Sequence, residues 1–325
     1  MDILVVEPLE PEALEWLSVR HSVRYAPELA DDPRLFRQML YSVRSLIIPP
    51  SVALDAFTVQ SAPMLRAVGR LSSGAENIDV EACTRAGIEV VRPLTASATA
   101  EAEFLIGALL QLLRRVPVVN DEGLLVGREL GACTIGVVGL TATAKPLIPL
   151  LNAFGARVIG YDPALHANDA AWARAGIQPV GLRDLFERSD GVCVLLTYYT
   201  RYRGLLGERF LEQCKANQVL VSLAHSSLFD ERALAGALGS GSMAAAWFDS
   251  MEPGMLDPGR PLYPLMDALQ VTPRVAGTTR ESRQRSAWAV ARRIHELLAR
   301  GTPRGDFNST TPGDLFDLAD DPRPA

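Results

Sequence analysis

The stretch GVVGLTATAK, residues 136–145, is an apolar, β-branched run that ends in a glycine and leads into helix-forming residues. A strand-to-helix turn of this kind can cradle a phosphate with its free backbone N–H groups. The dinucleotide fingerprint G-x-G-x-x-G places glycines there for the tight turn, for close backbone approach to a pyrophosphate, and for helix–sheet packing. Gly139 keeps the first role, whereas Thr141 and Ala144 stand at the second and third positions. The branched Thr141 side chain crowds the phosphate approach, while Ala144 adds only one methyl group. Pro146 removes one free donor from the first helical turn, and Pro149 removes an intrahelical bond, which is expected to bend the helix. The hydroxyls of Thr141 and Thr143 and the charge of Lys145 compensate, so the segment reads as a weakened or re-shaped phosphate site.

About 20 residues further on, VIGYDP closes a second strand at Asp162, where such a fold places a carboxylate for the adenine-side ribose hydroxyls. A carboxylate there repels a 2′-phosphate, so NAD is expected as cofactor in preference to NADP. A simple strand-ending Asp-Pro turn is the alternative. The four cysteines, Cys83, Cys133, Cys193 and Cys214, are far apart, form no C-x-x-C pair and have no histidine at ligand spacing. Buried free thiols and no metal site are expected.

The elements that position these residues follow from the hydrophobic pattern. Short apolar runs recur as ILVVEP, SLIIPP, RAVGRLSSG, IEVVRP, TIGVVGL, RVIGYDP, GVCVLLT, QVLVSLA, AAAWFDS and QVTPRVAG, most separated by stretches long enough for a helix. That alternation predicts α/β architecture with parallel sheets covered on both faces. One long apolar helix pattern, at about 99–116, separates two such series. An amphipathic segment, RESRQRSAWAVARRIHELLARG, precedes a tail rich in Pro, Gly and Asp that is expected to be loosely held.

With 325 residues, 48% of them hydrophobic and 22% charged, the chain is expected to form roughly two globular domains. A net charge of −6 and scattered Lys and Arg offer no basic face, so no nucleic-acid partner is expected. No run is apolar enough to span a membrane, and MDILVVEP lacks the basic start of a signal peptide, so a cytoplasmic location is expected.

Taken in order, LRAVGRLSSGAENIDVEACTRAGIEVVRP, AEFLIGALLQLLRR, GVVGL, FGARVIGYDP, LVSLAHSSLFDERALAGAL and VTPRVAGTT resemble blocks of the D-2-hydroxyacid dehydrogenase family, which includes phosphoglycerate dehydrogenases. The resemblance covers nearly the whole chain. It implies two doubly wound parallel-sheet domains, with a Rossmann dinucleotide domain (99–282) inserted in a flavodoxin-like substrate domain (1–98 plus 283–325). An active site in the cleft between them and a homodimer formed through the middle domain are also implied.

Carried over residue by residue, the resemblance shows an exchange. The family's substrate-clamping Arg lies in a block NTARGGLVD, which here reads SLAHSSLFD, so His225 takes its place. The family's proton-exchanging His lies in TPHIAG, which here reads TPRVAG, so Arg274 takes its place. Glu252, in the shortened block DSMEP, matches the Glu that charges the His in the family and is expected here to pair with Arg274. Asp249 matches the acidic residue near the nicotinamide, and Thr197, in LLTYYTRYRG, lies at the strand end that abuts the cofactor. The tyrosines Tyr198 and Tyr199 either reshape the pocket or pack on the domain face. Ser73, Gly74 and Ser97 match positions that receive the substrate carboxylate.

Three readings stay open on this evidence. The first is an NAD-linked oxidoreductase acting on a small-molecule 2-hydroxy or 2-oxo acid or a related carbonyl compound, with His225 as acid/base and Arg274 as clamp. The second is a non-catalytic dimeric relative that senses nucleotide, and the third is non-redox chemistry on the same fold.

Overall fold

The ten apolar runs are strands of two parallel sheets. The computed structural model describes residues 1–300 apart from 73, 76 and 117. Two units are present: Met1–Ser97 together with the helix Arg280–Arg300, and Ala98–Thr279. The expected loose tail lies outside the described residues.

In the first unit, β1 (Ile3–Val5), β2 (Val23–Tyr25), β3 (Ser45–Ile47), β4 (Ala67–Gly69) and β5 (Glu89–Val91) pair in parallel in the order β2-β1-β3-β4-β5. This is the flavodoxin-like doubly wound order. Alternate residues of the short strands serve opposite faces. Leu4, Leu46, Val68 and Val90 join Phe36, Leu40 and Val59 on one side. Ile3, Val5, Ile47, Ala67 and Val91 join Ala287, Val290, Ala291 and Ile294 of the final helix on the other.

Gly69 makes the close seating of that helix possible, since a Cβ there would lie 2.5 Å from Val290 Cγ1 and 3.1 Å from Ile294 Cδ1. The Arg293 guanidinium then clamps the helix to β5 by donating through Nε and Nη2 to the two Glu89 oxygens at 2.8 and 3.0 Å.

The second unit begins with the helix Ala98–Arg115, whose residues Ala102, Leu105, Leu109 and Leu112 form a buried stripe. A small antiparallel hairpin follows, β6 (Val118–Val119) with β7 (Leu125–Val126). The large sheet comprises β8 (Thr134–Val138), β9 (Arg157–Tyr161), β10 (Gln178–Pro179), β11 (Gly191–Val194), β12 (Gln218–Ser222), β13 (Met243–Phe248) and β14 (Leu269–Val271). Its order is β10-β9-β8-β11-β12-β13-β14, all parallel. Numbered within this sheet, the first six strands follow the Rossmann order 3-2-1-4-5-6, with a seventh strand added at the edge. Strand order reverses between β8 and β11, so the ends of those two strands define where a ligand crevice forms. Pro149 lies within the helix Ala144–Ala153 that follows β8, and the helix continues through it.

All four cysteines are buried and free. Burial pushes the Cys83, Cys193 and Cys214 thiols up to about 12, so they carry no thiolate at neutral pH. Among the described residues no helix is long and apolar enough to cross a membrane.

Gly69→Val forces Val290 and Ile294 off the sheet. The expected result is a loss of about 1–3 kcal/mol, read by chemical denaturation. An unchanged midpoint would show that the helix does not depend on this close contact.

Candidate functional site

The turn after β8 is shaped by one backbone crossing. Gly139 has φ +102°, and a Cβ there would lie 2.8 Å from both the backbone N and the Cα of Leu196, in the segment leaving β11. Only glycine combines that conformation with that approach. The Gly139 N–H donates to the Tyr161 carbonyl at 2.7 Å, and the Leu140 N–H donates to Asp162 Oδ2 at 2.9 Å, which ties the turn to the end of β9.

Beyond this point the side chains divide the work. Ala144 is fully buried against the helix–sheet core, so the third-glycine position tolerates its methyl. The Thr143 hydroxyl donates to the Glu101 carboxylate and is already engaged. The Thr141 hydroxyl is buried and, among the described residues, has no partner. The backbone N–H groups of Thr141, Ala142 and Thr143 likewise meet no acceptor among the described residues. Three unpaired amides and an orphaned hydroxyl at the start of a ten-residue helix are a donor set suited to a pyrophosphate. These residues therefore fit a dinucleotide cofactor, with Thr141 contributing a side-chain donor where the fingerprint has a glycine.

Asp162 is only 2% exposed. Its two oxygens accept from the Leu140 and Ala164 amides, both at 2.9 Å, so it serves the turn itself and has only remaining lone pairs for a ribose. Burial pushes its carboxyl up, although both amide bonds oppose the rise. Thr197 is exposed, just past the end of β11.

A second carboxylate organises the loop after β14. Asp249 Oδ1 accepts from Thr272 Oγ1 at 2.7 Å and from the Val275 amide at 2.9 Å, and Oδ2 accepts from the Ala276 amide at 3.0 Å. The Asp249 carbonyl accepts from the Arg274 N–H at 2.6 Å. Arg274 is thereby held at φ +55°, a left-handed conformation unusual for a residue with a side chain.

The exchanged residues end up with partners other than those expected. The expected pairing of Glu252 with Arg274 is not formed. Glu252 Oε1 instead lies 3.9 Å from His225 Nε2, and Arg274 Nε donates to Ser250 Oγ at 3.2 Å. The cause is local: the Ser226 hydroxyl accepts from the Glu252 N–H at 3.0 Å, which fastens the shortened loop beside His225. His225 precedes the short 3-10 turn Ser226–Leu228, and its Nδ1 accepts from the Ser227 N–H at 3.2 Å. The Tyr198 ring stacks on the imidazole with centroids 4.8 Å apart and planes 23° apart. His225 and Glu252 side chains are 34% and 41% exposed, so both are within reach of a small molecule.

Ser226, Ser250 and Thr272 were not singled out in the sequence, although Ser226 and Ser250 directly follow His225 and Asp249. Gly74 and Ser97 are half-buried residues of the first unit, and Ser73 lies outside the described residues.

A phosphate-type turn at the order reversal of a seven-stranded parallel sheet, followed by a His–Glu pair, defines a dinucleotide-binding α/β protein. The NAD binding domain model of the D-isomer specific 2-hydroxyacid dehydrogenases matches residues 108–276, and the chain belongs to that family. Among its relatives is an (S)-sulfolactate dehydrogenase from Chromohalobacter salexigens, 29% identical, with 91% of this chain and 98% of that protein covered. A D-3-phosphoglycerate dehydrogenase from Mycobacterium bovis is 30% identical over 91% of this chain, which spans 57% of that relative's length. The crystal structure of the TT0316 protein from Thermus thermophilus is similar with a TM-score of 0.74 at 25% identity, covering 93% of this chain and 99% of that one.

Because the folded Asp162 carboxyl binds its proton more tightly than a free carboxyl near 3.8, the folded state holds more protons as pH rises above that value, and stability falls with pH on its account. In urea unfolding across pH 3 to 7, the stability of the unsubstituted protein relative to Asp162→Asn should fall as pH rises. Parallel curves would remove the proposed burial effect.

Proposed function

We propose that this protein is a cytoplasmic, homodimeric oxidoreductase that uses NAD to interconvert a 2-hydroxy acid, or a related carbinol, and its 2-oxo form. The observation that carries the reading is the approach of His225 to Glu252, which rebuilds a proton-exchanging pair from exchanged positions. A nicotinamide dinucleotide, when bound, supplies or accepts the hydride. The Thr141, Ala142 and Thr143 amides and the Thr141 hydroxyl would hold its pyrophosphate, and Asp162 would disfavour a 2′-phosphate. Thr197 and Asp249 are proposed as its further contacts.

The His225–Glu252 pair exchanges the proton at the substrate oxygen. Arg274 holds the substrate carboxylate, since among the described residues its guanidinium bonds to Ser250 alone. Ser73, Gly74 and Ser97 are the further substrate contacts that the resemblance implies. The homodimer is supported by the β6–β7 hairpin, which leaves Val119, Leu124 and Leu125 exposed at 66%, 57% and 71%.

A second reading, a nucleotide-responsive relative without turnover, draws on other observations. His225 Nδ1 caps its own turn, and the Asp162 and Asp249 carboxylates are engaged in theirs. Thermal unfolding and turnover separate the two readings. Saturating NADH should stabilise the protein by about 2.7 kcal/mol at a hundred times its dissociation constant, with NADPH less effective. NADH-dependent reduction of a 2-oxo acid panel should follow, with His225→Ala lowering kcat/KM by about 10²–10³-fold. Stabilisation without turnover favours the second reading, and no stabilisation by either nucleotide defeats both.

Sedimentation should give a dimer that Leu125→Asp converts to monomer. A monomer before substitution refutes the assembly.

A further inference from the structure

Resting on the oxidoreductase reading, we infer that Glu252 is the group that exchanges the proton with the substrate oxygen, while His225 acts as a neutral hydrogen-bond donor through Nε2–H. The family resemblance assigns the proton to the imidazole, but the surroundings of His225 do not favour that role. Its Nδ1 accepts from the Ser227 N–H at 3.2 Å, so the neutral ring carries its hydrogen on Nε2. A general base needs a free lone pair, and the only one on this ring is covered. Protonating Nδ1 would set two N–H groups against each other. The Tyr198 ring, stacked at 4.8 Å and itself packed on the β11–β12 core, resists reorientation of the imidazole plane.

The other ring nitrogen faces a useful gap. Nε2 and Glu252 Oε1 are 3.9 Å apart, longer than a hydrogen bond, and one oxygen about 2.8 Å from each fits between them. A substrate carbonyl oxygen placed there meets a hydrogen-bond donor and a carboxyl group together.

In reduction the hydride from the nicotinamide adds to the carbonyl carbon, the C=O π pair moves to oxygen, and the Glu252 carboxyl gives that oxygen its proton and becomes a carboxylate. In oxidation the Glu252 carboxylate takes the hydroxyl proton as the C–H hydride leaves to the nicotinamide. His225 keeps its proton in both directions and stabilises the negative charge that develops on oxygen.

The test compares Glu252→Gln, His225→Gln and His225→Ala in the full chain with NADH and the 2-oxo acid turned over best, together with the ¹⁵N spectrum of the unsubstituted protein's imidazoles at the working pH. Glu252→Gln is expected to lower kcat at least about a hundredfold. His225→Gln, which retains an N–H donor, should stay within about tenfold, and His225→Ala should lose about a hundredfold. The His225 spectrum should show a protonated Nε2 and a bare Nδ1. A protonated Nδ1, or His225→Gln as inactive as His225→Ala while Glu252→Gln still turns over, overturns the assignment and leaves the oxidoreductase reading standing. Absence of turnover in the unsubstituted protein overturns that reading and the assignment with it. The spectrum comes from unsubstituted protein, so a variant that fails to fold does not shield the proposal.

Discussion

The backbone leaving β11 passes so close to Gly139 that nothing larger than hydrogen fits between them. That contact sits where the sheet order reverses, just beyond the paired ends of β8 and β11. The turn, its unpaired amides and the start of the next helix all take their places from it. The family's first glycine is therefore kept for a steric reason within the protein, whether or not a ligand is present. The other two positions answer to weaker demands, which explains why they could change. At Ala144 the extra methyl is absorbed by the core, and at Thr141 the side chain adds a donor of its own.

Asp249 imposes a comparable constraint on the other loop. Its carboxylate and carbonyl together accept from Thr272, Arg274, Val275 and Ala276, and this network holds Arg274 in a conformation that an unsupported chain rarely adopts. The cost of the left-handed residue is offset by bonds made on both sides of it. A cation at this position is thus presented on a rigid loop, while His225 is presented on a turn that it caps itself. His225 and Arg274 are thus each held by their own neighbours.

Much of the fold was legible because buried parallel strands announce themselves as continuous apolar runs. All ten such runs became strands. The strands not anticipated are marginal ones: Val23–Tyr25 has its last two residues exposed, Gln178–Pro179 is a two-residue edge, and the β6–β7 hairpin shows mostly exposed side chains. Their patterns do not differ from those of loops. At the site, residue types and order are what suggested that His225 and Arg274 stand at each other's family positions. Partnership was not legible, because the side chain that Glu252 meets depends on how a shortened loop is fastened. Beside His225 that fastening is the bond from the Glu252 N–H to Ser226, a residue whose type carries no signal by itself. The stacking of Tyr198 and the direction in which Nδ1 points are also three-dimensional facts with no linear signature.

The last helix gives the first unit an unusual history during synthesis. One face of its sheet is covered entirely by residues that precede position 98, whereas the other has Leu9, Ala13 and Leu17 from that part of the chain and is completed by Ala287, Val290, Ala291 and Ile294. The whole of residues 98–279 must leave the ribosome in between, which at about 5–20 residues per second takes on the order of 10–40 s. Throughout that interval the face formed by Ile3, Val5, Ile47 and Ala67 is only partly covered, by Leu9 and the helix Pro11–Ser18, while the inserted unit has all its own strands available to fold. The earliest part of this protein to be made is thus the last to be finished, and its half-covered sheet is the surface on which a chaperone, or a mistake, would act.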